Sequence, residues 1–365
     1  MGAAEAPARY HKISLFSEAA DEYPASRRRR EAFCWALEQA NPDVVAVNGW
    51  NNFGSLAAAR CCMEQGIPMV VMSESARGDE PRTWRKEIIK RRIVDLYAAA
   101  LVGGQRHVEY LVELGMPRER IFTGYDVVDN AYFEQRALEI RNANPPQADE
   151  TRKKHALPEK YFLASARFIE KKNLLRLIRA YAEYRGRSEV SGEDAPWDLV
   201  LLGDGPMRDT LNTQLSTLNL HAHVHLPGFK PYDELPVYYG LAKAFVHAST
   251  TEQWGLVVNE AVASELPVIV SNRWGCVPEL VQDNGFTFDP ANESELSERL
   301  LQMASLSADE RRRLGEASYR IAANFAPDRF GEGLKQAAAV ALKLPQRKPG
   351  VIDRALLLAA ATCGR

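Results

Sequence analysis

No apolar run in this chain approaches the ~20 consecutive residues that a membrane-spanning helix needs. The longest near the C-terminus, Ala355–Thr362, is far too short. The opening Met-Gly-Ala-Ala-Glu lacks the basic-then-apolar order of a signal peptide. There is no C-x-x-C pair, no D-x-D pair and no His/Cys cluster at metal-ligand spacing, so no metal site is expected. Charge of one sign is also missing. A net charge of -2 argues against a broad nucleic-acid surface. No internal repeat recurs at a fixed period. These absences describe a cytoplasmic globular protein whose five cysteines (Cys34, Cys61, Cys62, Cys276 and Cys363) are expected to be free thiols.

What is present is an alternation of short aliphatic runs, polar turns and helical patterns. In the first part the expected strands are Asp43–Val47, Pro68–Met72 and Ala98–Val102, followed by helices over Ser55–Gln65, Pro81–Leu96 and Val108–Leu114. From Arg136 to Pro158 the pattern dissolves into polar residues and prolines, which reads as a linker. Alternation then restarts, with strands at Tyr161–Ser165, Asp198–Leu202, His223–Leu226, Ala244–Ala248 and Pro267–Ser271. Strand–helix–strand repetition implies right-handed crossovers and parallel sheets. The expectation is an α/β chain of two doubly wound, Rossmann-like domains facing across a cleft. Their bounds are 1–140 and 159–328, with a linker over 141–158 and a C-terminal helix near Pro327–Leu342 crossing back within 329–365. Ligands in such sheets bind beyond the carboxyl ends of the strands.

The most informative segment is Glu252-Gln-Trp-Gly-Leu-Val-Val-Asn-Glu260. Gly255 permits a tight turn where a side chain would obstruct a ligand. A helix starting at Leu256 aims its first N–H groups into the cleft, an anion site suited to a diphosphate. Glu252 on the loop and Glu260 on the helix can both face one ligand and accept hydrogen bonds from hydroxyls. Gly203-Asp-Gly205 follows a strand, but it lacks the third glycine of a dinucleotide fingerprint and Pro206 comes next, which argues against nicotinamide binding.

The string resembles the E-x7-E segment of retaining GT-B glycosyltransferases, above all those of family 4. The likeness continues through Leu266-Pro-Val-Ile-Val270, Gly275-Cys-Val-Pro-Glu279 and Asn284-Gly-Phe-Thr-Phe-Asp-Pro290. Upstream it takes in Phe162-Leu-Ala-Ser-Ala-Arg167-Phe-Ile-Glu-Lys-Lys172 and Leu202-Gly-Asp-Gly-Pro206, and more thinly Pro42–Phe133 with Gly124-Tyr-Asp-Val-Val-Asp-Asn130. The resemblance implies that Arg167 and Lys172 hold the donor diphosphate, Glu260 takes the ribose hydroxyls and Glu252 contacts the transferred sugar. The backbone of Gly255, Leu256 and Val257 would support phosphates or sugar, with Gly203 and Gly205 forming a second binding turn. It implies a sugar transfer from a nucleotide diphosphate sugar to a hydroxyl acceptor, with retention and without cofactor or metal, two cations and a helix N-terminus stabilising the departing charge.

The first part departs from that pattern. The strand at Pro42 comes early, with only Tyr10–Phe16 as a candidate strand before it, so the acceptor lobe is expected to be shortened. Where relatives carry histidines this chain has Ala46 and Asn48, and Ser73-Glu74-Ser75 after the next strand. Glu74 is the candidate there for polarising the acceptor or the sugar. Ser264-Glu265 replaces a small residue and glycine, a turn variant. Two basic clusters remain, Arg27–Arg30 and Trp84–Arg92. The second has helical spacing and offers a peripheral contact with the inner face of a membrane, the other reading being a solvated face. The alternative to a transferase is a non-catalytic sugar-nucleotide-binding partner subunit; a more distant one is a GT-B epimerase.

Overall fold

The computed structural model describes residues 10–16, 26–50, 52–79, 82–191, 195–273, 275–344, 350, 351 and 353. Cys363 and Ala355–Thr362 lie outside them. The N-terminal half contains α1 (Ser26–Ala40), β1 (Val45–Asn48), α2 (Phe53–Gln65), β2 (Met69–Ser73), α3 (Trp84–Val94), β3 (Ala99–Val102), α4 (Gln105–Glu113) and β4 (Ile121–Thr123). Two helices follow, α5 (Asn130–Arg141) and α6 (Pro145–His155). The C-terminal half runs β5 (Tyr161–Ser165), α7 (Leu174–Ser191), β6 (Asp198–Leu202), α8 (Arg208–Thr217), β7 (Val224–Gly228), α9 (Leu235–Leu241) and β8 (Ala244–His247). It ends with α10 (Leu256–Ala263), β9 (Val268–Ser271), α11 (Val277–Leu280), β10 (Gly285–Phe288), α12 (Glu293–Ser305), α13 (Ala308–Ala322) and α14 (Pro327–Lys343).

Among the described residues the strands form two parallel sheets, ordered β1-β2-β3-β4 and β10-β9-β8-β5-β6-β7. The second order reverses between β5 and β8, which makes that sheet doubly wound and puts a crevice at the switch. The first runs in chain order among the described residues, and the two parallel-sheet α/β domains are those expected. Tyr10–Phe16 forms no strand, and nothing among the described residues pairs with the open edge of β1.

Local chemistry sets the helix ends. Asn52 caps α2 by accepting from Ser55 N at 2.8 Å, and Gly66 closes it at φ 73°. Asn144 caps α6, with Pro145 and Pro146 in its first turn. The expected polar linker is therefore mostly helical. Phe133 of α5 is buried in one core with Tyr161 and Tyr239 of the C-terminal half. α14 packs back under β2, β3 and β4, burying Ala337 and Ala341 against Val70, Ala99 and Leu101.

The cysteine expectation changes, and the Glu265 turn gains its geometry. Cys34 and Cys61 form a disulfide with Cα atoms 5.5 Å apart, because α1 lies along α2; Cys62 and Cys276 are free and buried. Glu265 sits at φ 57°, the left-handed conformation that favours glycine, and its carboxylate pairs with Arg141 at 3.1 Å. No helix among the described residues is long and apolar enough to cross a membrane.

Candidate active site

The loop after β5 builds the cationic wall. Asn173 takes φ 58° and donates Nδ2 to Ala248 O at 3.0 Å and Pro290 O at 2.9 Å. Thr250 N donates to Lys171 O at 2.9 Å. These bonds tie the loop to the end of β8 and bring Lys172 onto Glu252, with which it forms a hydrogen-bonded ion pair. Lys172 is only 9% exposed. Burial, more than the attraction of Glu252, decides its acidity and sets it below the usual lysine range. His247 lies beneath, fully buried and pushed well down by that burial and by the Lys172 charge. Arg167 is exposed on the same loop.

Gly203 and Gly205 shape this loop from behind. A Cβ on Gly203 would meet Ala166 O at 1.9 Å, and one on Gly205 would meet Phe168 O at 2.7 Å. Phe168 N donates to Asp204 O at 2.8 Å. Both glycines thus pack closely against the backbone flanking Arg167.

Gly255 caps α10 at φ 106°, letting the chain turn sharply from Trp254 into the helix. On the helix, Glu260 accepts from the buried Tyr239 hydroxyl at 2.7 Å. Burial pushes the Glu260 carboxyl up to about 7, against the Tyr239 bond that favours the carboxylate. Tyr239 also bonds Ser165 at the end of β5, which keeps Glu260 at the same sheet edge as Arg167. Leu256 is exposed and Val257 half-buried at the helix start.

The N-terminal half supplies the opposite wall. Glu74 follows β2 and hydrogen-bonds Asp126, near enough to Glu252 to feel its charge. Burial raises Glu74, and burial together with Glu74 raises Asp126 to about 9. His107 of α4 is fully buried, with Nδ1 accepting from Gly104 N at 3.0 Å and Nε2 facing Gln253 O at 3.0 Å. Those partners select the neutral tautomer protonated on Nε2, in keeping with burial pushing the pKa of the ring below the usual imidazole value.

The halves are clamped by the motif itself. Trp254 is 1% exposed, rests on the Gly103–Gly104 turn and donates Nε1 to Asn259 Oδ1 at 2.7 Å. Asn259 Nδ2 reaches Asp126 O at 3.4 Å, and Gln105 N donates to Glu279 Oε1 at 2.5 Å.

The structure thus gathers Arg167, Lys172, Glu252, Gly255, Glu260 and Glu74 in one cleft. It adds Asp126 and His107, which sequence reading passed over. Asp126 lay inside the quoted Gly124–Asn130 string, but nothing local marks it as Glu74's partner. His107 looks like any helix residue until α4 meets Gln253. Trp84–Arg92 stands apart on the surface, with Trp84 69%, Ile88 49% and Ile89 43% exposed. No group of three or more His, Cys, Asp or Glu side chains among the described residues is arranged to hold a metal ion.

Residues 147–321 match the family described as Glycosyl transferases group 1. Alpha-monoglucosyldiacylglycerol synthase of Streptococcus pneumoniae is 30% identical over 166 residues, 45% of this chain and 36% of that protein. The Acholeplasma laidlawii protein of the same name is 31% identical over 105 residues, 29% of this chain and 25% of that protein. The matched stretches therefore span about a quarter to a third of these two relatives. Among solved structures, a glycosyltransferase from Rickettsia africae superposes with TM-score 0.70 at 16% identity, covering 90% of this chain and 85% of that one. Anabaena Alr3699/HepE, in complex with UDP and glucose, superposes at 0.67 and 17% identity, covering 86% and 82%. The fold is GT-B.

Proposed function

We propose that this chain, whose residues 147–321 match glycosyl transferases group 1, moves a sugar from a nucleoside diphosphate sugar to a hydroxyl acceptor. The observation that carries the reading is the buried Lys172–Glu252 pair at the mouth of a glycine-capped helix. Arg167, Lys172 and the N-terminus of α10 bind the diphosphate and stabilise the charge that develops as it departs. Glu252 orients Lys172 and accepts from sugar hydroxyls; Glu260 accepts from the ribose. The anomeric carbon loses its bond to the diphosphate oxygen and gains one to the acceptor oxygen. The acceptor proton passes to the leaving phosphate on the same face, which gives retention without a protein nucleophile or a metal ion. Glu74, on the facing wall, orients the acceptor.

The acceptor is lipid-borne in this reading, and the protein works at the inner face of a membrane. Two features support that. Two of the matched relatives are named alpha-monoglucosyldiacylglycerol synthase. The exposed Trp84, Ile88 and Ile89 share α3 with Arg85, Lys86, Arg91 and Arg92, an apolar patch ringed by cations suited to anionic headgroups.

The test compares Glu252→Gln and Lys172→Ala with the parent chain, measuring donor turnover and nucleoside diphosphate binding separately. A fall in turnover of about 10²–10³-fold is expected for Lys172→Ala. Unchanged turnover in both variants would remove the reading. Binding of nucleoside diphosphate with no turnover on any of a panel of UDP-, GDP- and ADP-sugars would reduce the chain to a sugar-nucleotide-binding module.

A further inference from the structure

At the end of the C-terminal sheet opposite the cleft lies a cavity of about 580 Å³. Lys243 directly precedes β8 and Pro267 directly precedes β9, and both line it. The cleft residues follow the other ends of those strands, so the length of a strand, ~13 Å for four residues, separates the two places. The cavity's size is that of a site for a small organic molecule.

Its walls are cationic. Arg141 comes from α5, Arg152 from α6, Lys243 from the β8 entry, and Arg311 and Arg312 from α13. Two acids, Glu265 and Glu316, line it as well. Each acid is committed: Glu265 to Arg141 at 3.1 Å and Glu316 to Arg312 at 2.5 Å. Arg152 reaches Asp149 at 3.4 Å through one nitrogen, while its Nε is buried without a hydrogen-bond partner among the described residues. Arg311 stacks over Trp197 at 5.0 Å and donates to Leu306 O. Lys243 has neither an ion-paired nor a hydrogen-bonded side chain among the described residues. Burial first, then the guanidiniums of Arg152 and Arg311, and finally that of Arg141 press its ammonium below the usual lysine range, with Glu159 acting the other way.

Drawing Lys243, Arg152 and Arg311 together costs Coulomb energy. An anion placed among Lys243, Arg152 and Arg311 would offset it. Planar guanidinium forks suit the oxygens of a phosphate group, and the ammonium suits its charge. We propose that this cavity binds the phosphate monoester of a small soluble molecule, at a site separate from the cleft. The proposal stands apart from the transferase reading, since none of its residues belongs to that site.

The experiment is calorimetric titration of the full chain with inorganic phosphate and with glycerol phosphate. The parent, Arg167→Ala/Lys172→Ala, Lys243→Gln and Lys243→Arg are compared, each after a thermal melt shows a folded protein. Binding is expected to survive in the double variant, to weaken at least about tenfold in Lys243→Gln, and to persist in Lys243→Arg. Lys243→Gln should leave nucleoside diphosphate binding at the cleft unchanged. Binding lost in the double variant but intact in Lys243→Gln would overturn the proposal by assigning the phosphate to the cleft. No binding of either probe would overturn it too, as would Lys243-dependent flotation with phosphatidylglycerol vesicles in their place, which would make the cavity a lipid-headgroup site.

Discussion

Tyr239 donates its buried hydroxyl to Glu260 at 2.7 Å, so the acid assigned to the ribose already has one partner before any ligand arrives. With its carboxyl at about 7, Glu260 is largely protonated below neutrality and a poorer acceptor for two hydroxyls. At pH 6 about a tenth of the molecules carry the carboxylate, so nucleoside diphosphate affinity is expected to fall about tenfold from its alkaline plateau. Calorimetry in buffers of different ionisation enthalpy should detect protons released on binding near pH 7. Tyr239→Phe removes a bond that favours the charged form and is expected to move the midpoint to higher pH. A flat affinity between pH 6 and 8 would contradict the ribose assignment.

Asp126 offers a stability test with a definite sign. Its folded carboxyl is raised to about 9 from an ordinary value of 3.8, so between those limits the folded protein holds a proton that the unfolded chain has released. Stability from this group is present at low pH and is lost as pH rises through that window. Asp126→Asn cannot ionise. Its melting temperature is expected to gain on the parent steadily from pH 5 to pH 8, a trend that circular dichroism melts can follow.

The Cys34–Cys61 bridge joins residues 27 apart and staples α1 to α2. Loop-closure arithmetic puts its contribution at about 3 kcal/mol. Cys34→Ser, or reduction under native conditions, is expected to lower the melting temperature, and mass spectrometry of the unreduced chain should find the pair oxidised. Cys62 and Cys276 should resist alkylation until the protein unfolds; both are buried, and burial pushes the Cys62 thiol up to about 12.

Vesicle flotation tests α3. Ile88→Glu and Trp84→Glu place charge on exposed apolar positions and are expected to reduce binding to anionic vesicles while leaving the melting temperature within a degree or two. Added salt should weaken the parent's binding in the same assay, because the cations around the patch act through screened charge.

The elements read from sequence were those whose cause is local. Tyr161–Ser165 and Asp198–Leu202 match to the residue because each is a central strand with four consecutive buried apolar residues, bounded by turns. β4 and β10 escaped notice: one is a three-residue edge strand and the other carries glycine and threonine, so neither makes an apolar run. α5 and α6 were hidden by polar composition and by prolines that cap a helix as readily as they break one.

The segment Glu252–Glu260 determined, by sequence alone, a loop, a glycine turn and a helix start carrying two acids, because every part of it lies within nine consecutive residues. Only the tertiary structure decided what faces it. Glu74 and Asp126 are 52 residues apart in the chain, and His107 and Gln253 are 146 apart. Their contacts exist because two parallel sheets present their carboxyl ends to one cleft. The same packing sets Gly203 and Gly205 against the backbone of the Arg167 loop. Local pattern records which face of a helix or strand is apolar; it holds no record of which distant segment will be buried against it, and burial is what shifts these acids and aligns their partners.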